Sequence, residues 1–246
     1  MESDKKQTLQ YIKYAAINFS FFITVSFSGY ITVFLQTVGF NAQQVGLINA
    51  VNAGVGIFSS PFWGMISDKL RSYKKVINIA LITGAILFAL IPWMSGMSIG
   101  RVSLLYLFIP IANFFRQPVM SLLDNWMLKN ASNEKLNYGL LRSFGALSYA
   151  LAAIGLGFLI PRTNVELIFY LSVILTIPLI LLLLFIKGSA DEEAHEKKSL
   201  TFKELQIGTL FKNYYFVTYI IFTVFQRIPF FCSFIFIQLN MSHDDI

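Results

Sequence analysis

Seven apolar stretches, each about 20 residues long, constrain this chain more than any other feature. A helix needs about 20 mostly apolar residues to cross the hydrocarbon core of a bilayer. The chain of 246 residues is 56% hydrophobic and only 13% charged, against about 25% charged residues in ordinary soluble domains. The sequence therefore predicts an all-α, polytopic bundle of membrane helices. The predicted spans are 14–35, 45–67, 76–97, 103–128, 138–160, 167–186 and 214–239.

Two short motifs mark the turn between the first two spans. Gly39 follows the first span, where a glycine commonly ends a helix in a left-handed conformation. Asn41, with Gln44 three residues later, resembles the reciprocal cap that starts many helices. We therefore expect the second helix to begin directly after Asn41.

The connections between spans differ sharply in basic residues, and this difference predicts the orientation. Cytoplasmic loops carry an excess of Lys and Arg. One side has only Arg101 and Arg162, whereas the other side has fourteen basic residues. The sequence thus predicts a multi-pass protein of the cell membrane with a cytoplasmic N-terminus. The fourteen are Lys5, Lys6, Lys13, Lys69, Arg71, Lys74, Lys75, Lys129, Lys135, Lys187, Lys197, Lys198, Lys203 and Lys212.

Composition also excludes several classes of function. The net charge of +6 is spread between apolar spans and forms no nucleic-acid-binding motif, so we expect no nucleic acid partner. The single cysteine, Cys232, excludes an intramolecular disulfide and a cysteine metal cluster. Both histidines lie in polar segments, and we find no nucleophile set or phosphate loop. We expect no enzyme activity, no metal and no cofactor.

A mixed-charge segment divides the chain. Residues 190–198 carry acidic and basic side chains in close succession, as in solvated connectors. We therefore interpret 1–187 as a six-helix transmembrane lobe, 188–213 as a cytoplasmic linker and 214–246 as a seventh transmembrane helix. No internal repeat is clear in the sequence.

Four ionisable residues lie inside the predicted spans: Arg116, Asp124, Arg142 and Arg227. A charge at the bilayer centre costs about 2.5–3.5 kcal/mol on insertion scales, so such residues usually face a cavity or a partner. Asp124 and Arg142 each lie nine residues from the turn near Asn133. A rise of about 1.5 Å per residue places them at similar depth on antiparallel helices. The sequence predicts a salt bridge between them, either as part of a solute site or as a staple between helices.

Polar and aromatic residues accompany this pair. Asn113, Gln117 and Asp124 share one helical face, whereas Arg116 is about 80° away and either lines a cavity or bonds backbone carbonyls. Tyr149 follows Arg142 by seven residues on one face. An aromatic ring beside an Arg–Asp pair suits a polar ligand with an apolar face.

Four glycines and alanines of the fifth span are also informative. Gly145 and Ala146 leave room for a ligand or for a neighbouring helix. At Gly155 and Gly157 we favour close packing of another helix, because small residues allow backbones to approach.

The loop after the second span carries a family resemblance. Gly64 is followed four residues later by Asp68 and then by a basic cluster that includes Lys69, Arg71 and Lys74. This segment resembles the loop signature of the major facilitator superfamily, and its Trp-Gly and Ser-Asp-Lys-Leu variants are similar to the lactose-permease branch. The resemblance implies a gating role for these five residues, which would hold the cytoplasmic side closed in one state.

A second motif supports the same resemblance. Asp124 precedes Arg142 by 18 residues, and Arg142 lies in a Gly-x-x-Arg-x-aromatic-Gly run. The lactose-permease and phenylpropionate-permease types share this arrangement. The resemblance implies that Asp124 and Arg142 bind sugar hydroxyls and that Tyr149 stacks on the ring, with Asn113, Arg116 and Gln117 as further candidates.

The resemblance also implies a mechanism and its missing parts. Members have about twelve helices in two lobes that rock around a central site, so this chain would be the N-terminal lobe plus helix 7 and would need a C-terminal lobe as partner. We expect a secondary carrier for a small organic solute, favouring a sugar, with protons as the coupling ion. Aromatic carboxylates and nucleosides are alternative substrates, and Arg227 would suit an anionic substrate or an acid in the C-terminal lobe. A non-transporting sensor or a degenerate carrier fragment is the alternative function.

Overall fold

The computed structural model describes residues 2–99, 102–186 and 188, with short stretches between 212 and 228. A two-residue β-hairpin pairs β1 (Ser98–Ile99) with antiparallel β2 (Val102–Ser103). All other regular elements are helical, which confirms the predicted all-α bundle. The α-helices are α1 (Glu2–Ser26), α2 (Ile31–Thr37), α3 (Ala42–Leu70), α4 (Tyr73–Met94), α5 (Leu105–Asn133), α6 (Tyr138–Leu159) and α7 (Leu167–Phe185).

The first six predicted spans each coincide with a helical segment, although their limits differ. The first span begins at Glu2, twelve residues earlier than predicted, because its polar N-terminal turns are helical too. It is also interrupted by a 3₁₀ turn at Phe27–Tyr30, which separates α1 from α2. The seventh span and the linker fall mostly outside the described residues, as do Arg227 and Cys232.

The predicted turn between the first two spans is confirmed. Gly39 has a φ of +96°, which an L side chain rarely adopts, and its amide donates to the carbonyl of Gln36. The Asn41 side chain accepts from the Gln44 amide, and the Gln44 side chain accepts from the Asn41 amide, both at 2.9 Å. Helix α3 therefore starts with the reciprocal cap that the sequence predicts.

Low hydropathy, not length, separates α5 from the other long helices. Among the described residues, five helical segments are long and apolar enough to cross a membrane. They do not include α5, although it has 29 residues, because Asn113, Arg116, Gln117 and Asp124 lower its hydropathy. The polar side chains inside the bundle are therefore concentrated on α5.

The first six spans form two groups of three, α1–α4 and α5–α7, and the contacts between the groups follow a repeating pattern. The sequence did not reveal this relation. The first span of each group packs on the second span of the other: α1 contacts α6, and α5 contacts α3. The last span of each group packs on the first span of the other: α4 contacts α5, and α7 contacts α1. Helices α4 and α7, the last of each group, also contact each other. Because each group has three spans, the second group begins at the opposite end of the bundle.

Two apolar cores fill the bundle, one near each end. The first core surrounds Trp126 and Tyr14, whose rings meet edge to face at 5.7 Å. The second surrounds Phe169, which contacts the rings of Phe34 and Phe88 at 4.8 and 4.7 Å. A cavity of about 210 Å³ lies at their junction, lined by residues from both cores.

Candidate functional site

The structure contains the ion pair that the sequence predicts between α5 and α6. Nη1 of Arg142 lies 2.7 Å from Oδ1 of Asp124 and donates a hydrogen bond to it. The two side chains are 33% and 30% exposed, so both charges are accessible to solvent. This ion pair lies between two helices of a largely apolar bundle.

Two aromatic side chains complete the surroundings of the pair. The Tyr138 hydroxyl donates to the same Oδ1 of Asp124 at 3.1 Å. The guanidinium carbon of Arg142 lies 4.4 Å from the ring centroid of Phe22 on α1. Gly145 lies one turn further along α6, where an added Cβ would collide with that ring. The small residue thus makes room for Phe22, which in turn carries Arg142.

The pair joins helices that otherwise touch little. Helix α6 packs mainly on α1, whereas α5 packs mainly on α3 and α4. Hydrogen bonds fix α6 to α1: Asn18 Nδ2 donates to the carbonyl of Leu141 at 3.1 Å, and Tyr11 accepts from the Asn137 amide at 2.7 Å. The Tyr14 hydroxyl also donates to Glu134 at 2.6 Å. These contacts hold Arg142 at a fixed position facing α5.

Arg116 lies elsewhere, in the cavity between the two cores. Eight residues separate it from Asp124, which is about 12 Å along α5. Its guanidinium stacks on Phe88 at 3.6 Å from the ring centroid, and its Nη2 donates to the Ser28 hydroxyl at 3.2 Å. Of the two placements left open by the sequence, the cavity wall is therefore the observed one.

Asn113 and Gln117 line the same cavity. Asn113 Nδ2 donates to Oε1 of Gln117 at 2.8 Å and to the carbonyl of Asn52 at 3.4 Å. A Cβ added at Gly56 would overlap the Gln117 amide, so this glycine makes space for it. The predicted polar stripe on α5 therefore divides: Asn113 and Gln117 face the cavity with Arg116, and Asp124 faces Arg142.

Tyr149 and two glycines of α6 complete the predicted residues of this region. Tyr149 is half-buried against the first core, about 10 Å along α6 from Arg142. The expected helix packing at Gly155 and Gly157 is wrong for the described residues, because a Cβ at either would meet no atom within 4 Å. Both face outward, and the close contact on α6 occurs at Gly145 instead.

The predicted gating residues cluster at the end of the bundle that we call the basic end, which carries the α3–α4 loop and the α5–α6 turn. Lys74 Nζ donates to the carbonyl of Ile186 at 2.6 Å and so joins the start of α4 to the end of α7. Arg71 caps α3 with a φ of +47°. Lys69 and Asp68 are exposed, and the described residues give the Asp68 carboxylate no hydrogen bond or ion pair. Gly64 faces open space.

Comparison with protein families decides the identity of this arrangement. The model of the MFS_1 like family matches residues 11–243, nearly the whole chain. The chain belongs to this family of the major facilitator superfamily. Its polar α5 and the ion pair to α6 are therefore features of a transporter-type helical bundle.

Two curated relatives agree with membership of this transporter family. The chain is 32% identical over 121 residues to the uncharacterized transporter YwbF of Bacillus subtilis, covering 48% of this chain and 28% of that protein. It is 25% identical over 141 residues to the maltose permease of Geobacillus stearothermophilus, covering 57% of this chain and 34% of that protein. The chain thus spans about a third of the length of these relatives. No solved structure matches it.

Several neighbours of the candidate site residues were not predicted from the sequence. Tyr138 precedes Arg142 by four residues, so helical spacing could have placed it beside Asp124. Asn52 is a polar residue inside an apolar span, which is also a usable signal. Phe22 and Phe88 could not be found, because each contacts an arginine on another helix. Within the described part, no three His, Cys, Asp or Glu side chains gather as a metal site.

Proposed function

We propose that this chain is the substrate-binding N-terminal lobe of a secondary carrier that moves a small hydroxylated solute, a sugar in the first instance, by alternating access coupled to protons. The observation that carries the proposal is the Asp124–Arg142 pair, one-third exposed in a helical bundle. Hydroxyl groups both donate and accept, so a sugar can bond the carboxylate and the guanidinium together. The relative named as a maltose permease supports the same class of solute.

The geometry around the pair supports solute binding over a purely structural staple. A pair that only joins helices needs no access to solvent, yet these side chains are about one-third exposed. The Tyr138 hydroxyl supplies a further polar group at the same carboxylate. Tyr149 lies further along α6, where the lactose-permease resemblance places an aromatic platform.

The test is solute uptake by the complete carrier in proteoliposomes. We expect labelled maltose to accumulate above its external concentration under an inward proton gradient, and a protonophore to abolish the accumulation. Asp124→Asn should remove uptake, whereas Arg162→Gln, in an exposed turn, should not. Uptake that ignores the gradient would refute proton coupling. No uptake of any tested solute, with normally folded protein, would favour the alternative of a non-transporting sensor.

The alternating-access part of the proposal rests on the basic end. Asp68 is exposed there without a partner among the described residues, which suits an acid that meets a second lobe in one state. We expect Asp68→Asn to leave expression nearly normal and to reduce maltose uptake by the complete carrier. Wild-type uptake in that variant would leave this loop a role in topology alone.

A further inference from the structure

The cavity around Arg116 holds polar groups that the ion-pair site does not use. Nη1 of Arg116 is fully buried and has no hydrogen-bond partner among the described residues. Oδ1 of Asn52, which lines the same cavity, is likewise buried without a donor. A native bundle rarely leaves such groups unsatisfied, and a charged one is the most costly to leave so. Nη1 of Arg116 therefore lacks an acceptor among the described residues, and Oδ1 of Asn52 lacks a donor.

The missing acceptor is best supplied by an anion. Asp124, the acidic residue of α5, lies about 12 Å along the helix from Arg116 and is engaged with Arg142. Arg116 itself reaches only the neutral Ser28 hydroxyl and the Phe88 ring. An arginine inside a membrane bundle usually has a counter-charge or faces a substrate path. Nothing in the described part supplies that counter-charge.

The position of Arg116 is built into neighbouring helices. A Cβ added at Gly84 on α4 would come within 2.7 Å of Arg116 Cγ, so only glycine admits this side chain. Phe88, one turn further along α4, supplies the ring beneath the guanidinium. The break between α1 and α2 brings Ser28 to the other side. Helix α4 and the 3₁₀ turn thus hold the guanidinium at the cavity wall.

The shape and lining of the cavity define the class of anion. Its volume of about 210 Å³ is below the roughly 300–1,000 Å³ of ordinary ligand pockets. Apart from Arg116 and a few amide and hydroxyl groups, its walls are apolar, with Phe21, Phe88, Ile91 and Ile109 among them. A planar carboxylate matches the fork of a guanidinium better than a spherical ion does.

We propose that this cavity is a binding site for a small monocarboxylate with an apolar body, whose carboxylate bonds Nη1 of Arg116. The site is separate from the Asp124–Arg142 pair, because the cavity is lined by neither of those residues. The proposal therefore does not depend on a sugar binding at that pair. It rests on the proposed function only in treating the bundle as a transporter lobe.

The experiment measures binding of benzoate and of benzyl alcohol to the 246-residue chain in lipid nanodiscs. The two ligands share a ring and differ in the carboxylate. We expect benzoate to bind at least tenfold more tightly, and Arg116→Gln to remove that preference. Arg116→Lys should retain part of it, because it keeps the charge but not the fork. Arg162→Gln, an exposed arginine of the same chain, should change nothing.

Three results would overturn the site. They are equal binding of the two ligands, an unchanged preference in Arg116→Gln, and displacement of benzoate by chloride at equal concentration, which would indicate an unselective anion site. Unfolding temperatures without ligand check that Arg116→Gln folds. A lower unfolding temperature with no change in preference would assign Arg116 a structural role beside Phe88. If the wild-type complete carrier does not take up maltose but benzoate still binds, only the sugar proposal would be contradicted.

Discussion

Arg116 and Asp124 lie two turns apart on α5, yet their surroundings are opposite. Asp124 has an arginine, a tyrosine hydroxyl and access to solvent. Arg116 has a phenyl ring, one hydroxyl and a buried nitrogen that no described residue pairs. Among the described residues, one charge is neutralised by another side chain, and the other has no counter-charge. Polar residues on one membrane helix can therefore lie in two different environments.

The largest expected effect tests the neutralised charge. We expect Asp124→Asn and Arg142→Gln each to abolish maltose uptake by the complete carrier, because each removes a group that we propose to contact the solute. The double variant should remain inactive. Its unfolding temperature should nevertheless be higher than those of the single variants, since neither charge is left unpaired. Recovery of uptake in the double variant would show that the pair only links α5 to α6.

The next prediction concerns the space that Arg116 occupies. Gly84→Ala places a methyl group against Arg116 Cγ, and overpacking of this kind costs about 1–3 kcal/mol. We expect a lower unfolding temperature and weaker benzoate binding. Gly46→Ala is the matched control, because a Cβ there meets no atom within 4 Å and alanine favours the helix. Equal stability of the two variants would show that Arg116 is not fixed by α4.

A smaller effect is expected at Tyr149. The phenyl ring that Phe retains preserves stacking on a sugar face, and such contacts are worth on the order of 1 kcal/mol. Tyr149→Phe should therefore keep most of the affinity for maltose, and Tyr149→Ala should lose it at least several-fold. Benzoate binding should not respond to either change. An indifferent Tyr149→Ala would remove the aromatic platform from the ion-pair site.

The smallest effect is expected at Tyr138. Its hydroxyl donates to Asp124, and a neutral hydrogen bond contributes about 0.5–1.5 kcal/mol, less where water can replace it. We expect Tyr138→Phe to weaken maltose binding by about two- to fivefold. Tyr170→Phe, at an exposed ring on α7, provides the control. A loss as complete as in Asp124→Asn would mean that the hydroxyl contacts the solute directly.

Much of the fold was predictable because membrane helices are written in local signals. Apolar length located six helices, and the Asn41–Gln44 cap and Gly39 located a turn to the residue. The Asp124–Arg142 pair was predictable for the same reason, since both residues lie equally far from one turn. The cost of an isolated charge in lipid leaves few arrangements for two such residues.

The remaining features depend on packing between distant segments, which no local pattern encodes. The interruption at Phe27–Tyr30 has no proline, and its Ser28-Gly29 pair is compatible with a continuous helix as well as with a break. The pairing of α1 with α6 and of α3 with α5 connects segments about 60 to 120 residues apart. The wrong expectation at Gly155 and Gly157 has the same origin, because small residues indicate that a helix can approach but not which one does.

The packing of α1 on α6 also has a consequence for synthesis. Tyr14 and Asn18 find their partners, Glu134 and the Leu141 carbonyl, 120 and 123 residues later in the chain. A ribosome adds about 5–20 residues per second, so the first span waits on the order of 10 s for the helix that covers it. During that interval the Asn18 amide has no native acceptor. The first span must therefore enter the membrane on its own hydrophobicity, and its packing in the bundle can be completed only after α6 has been made.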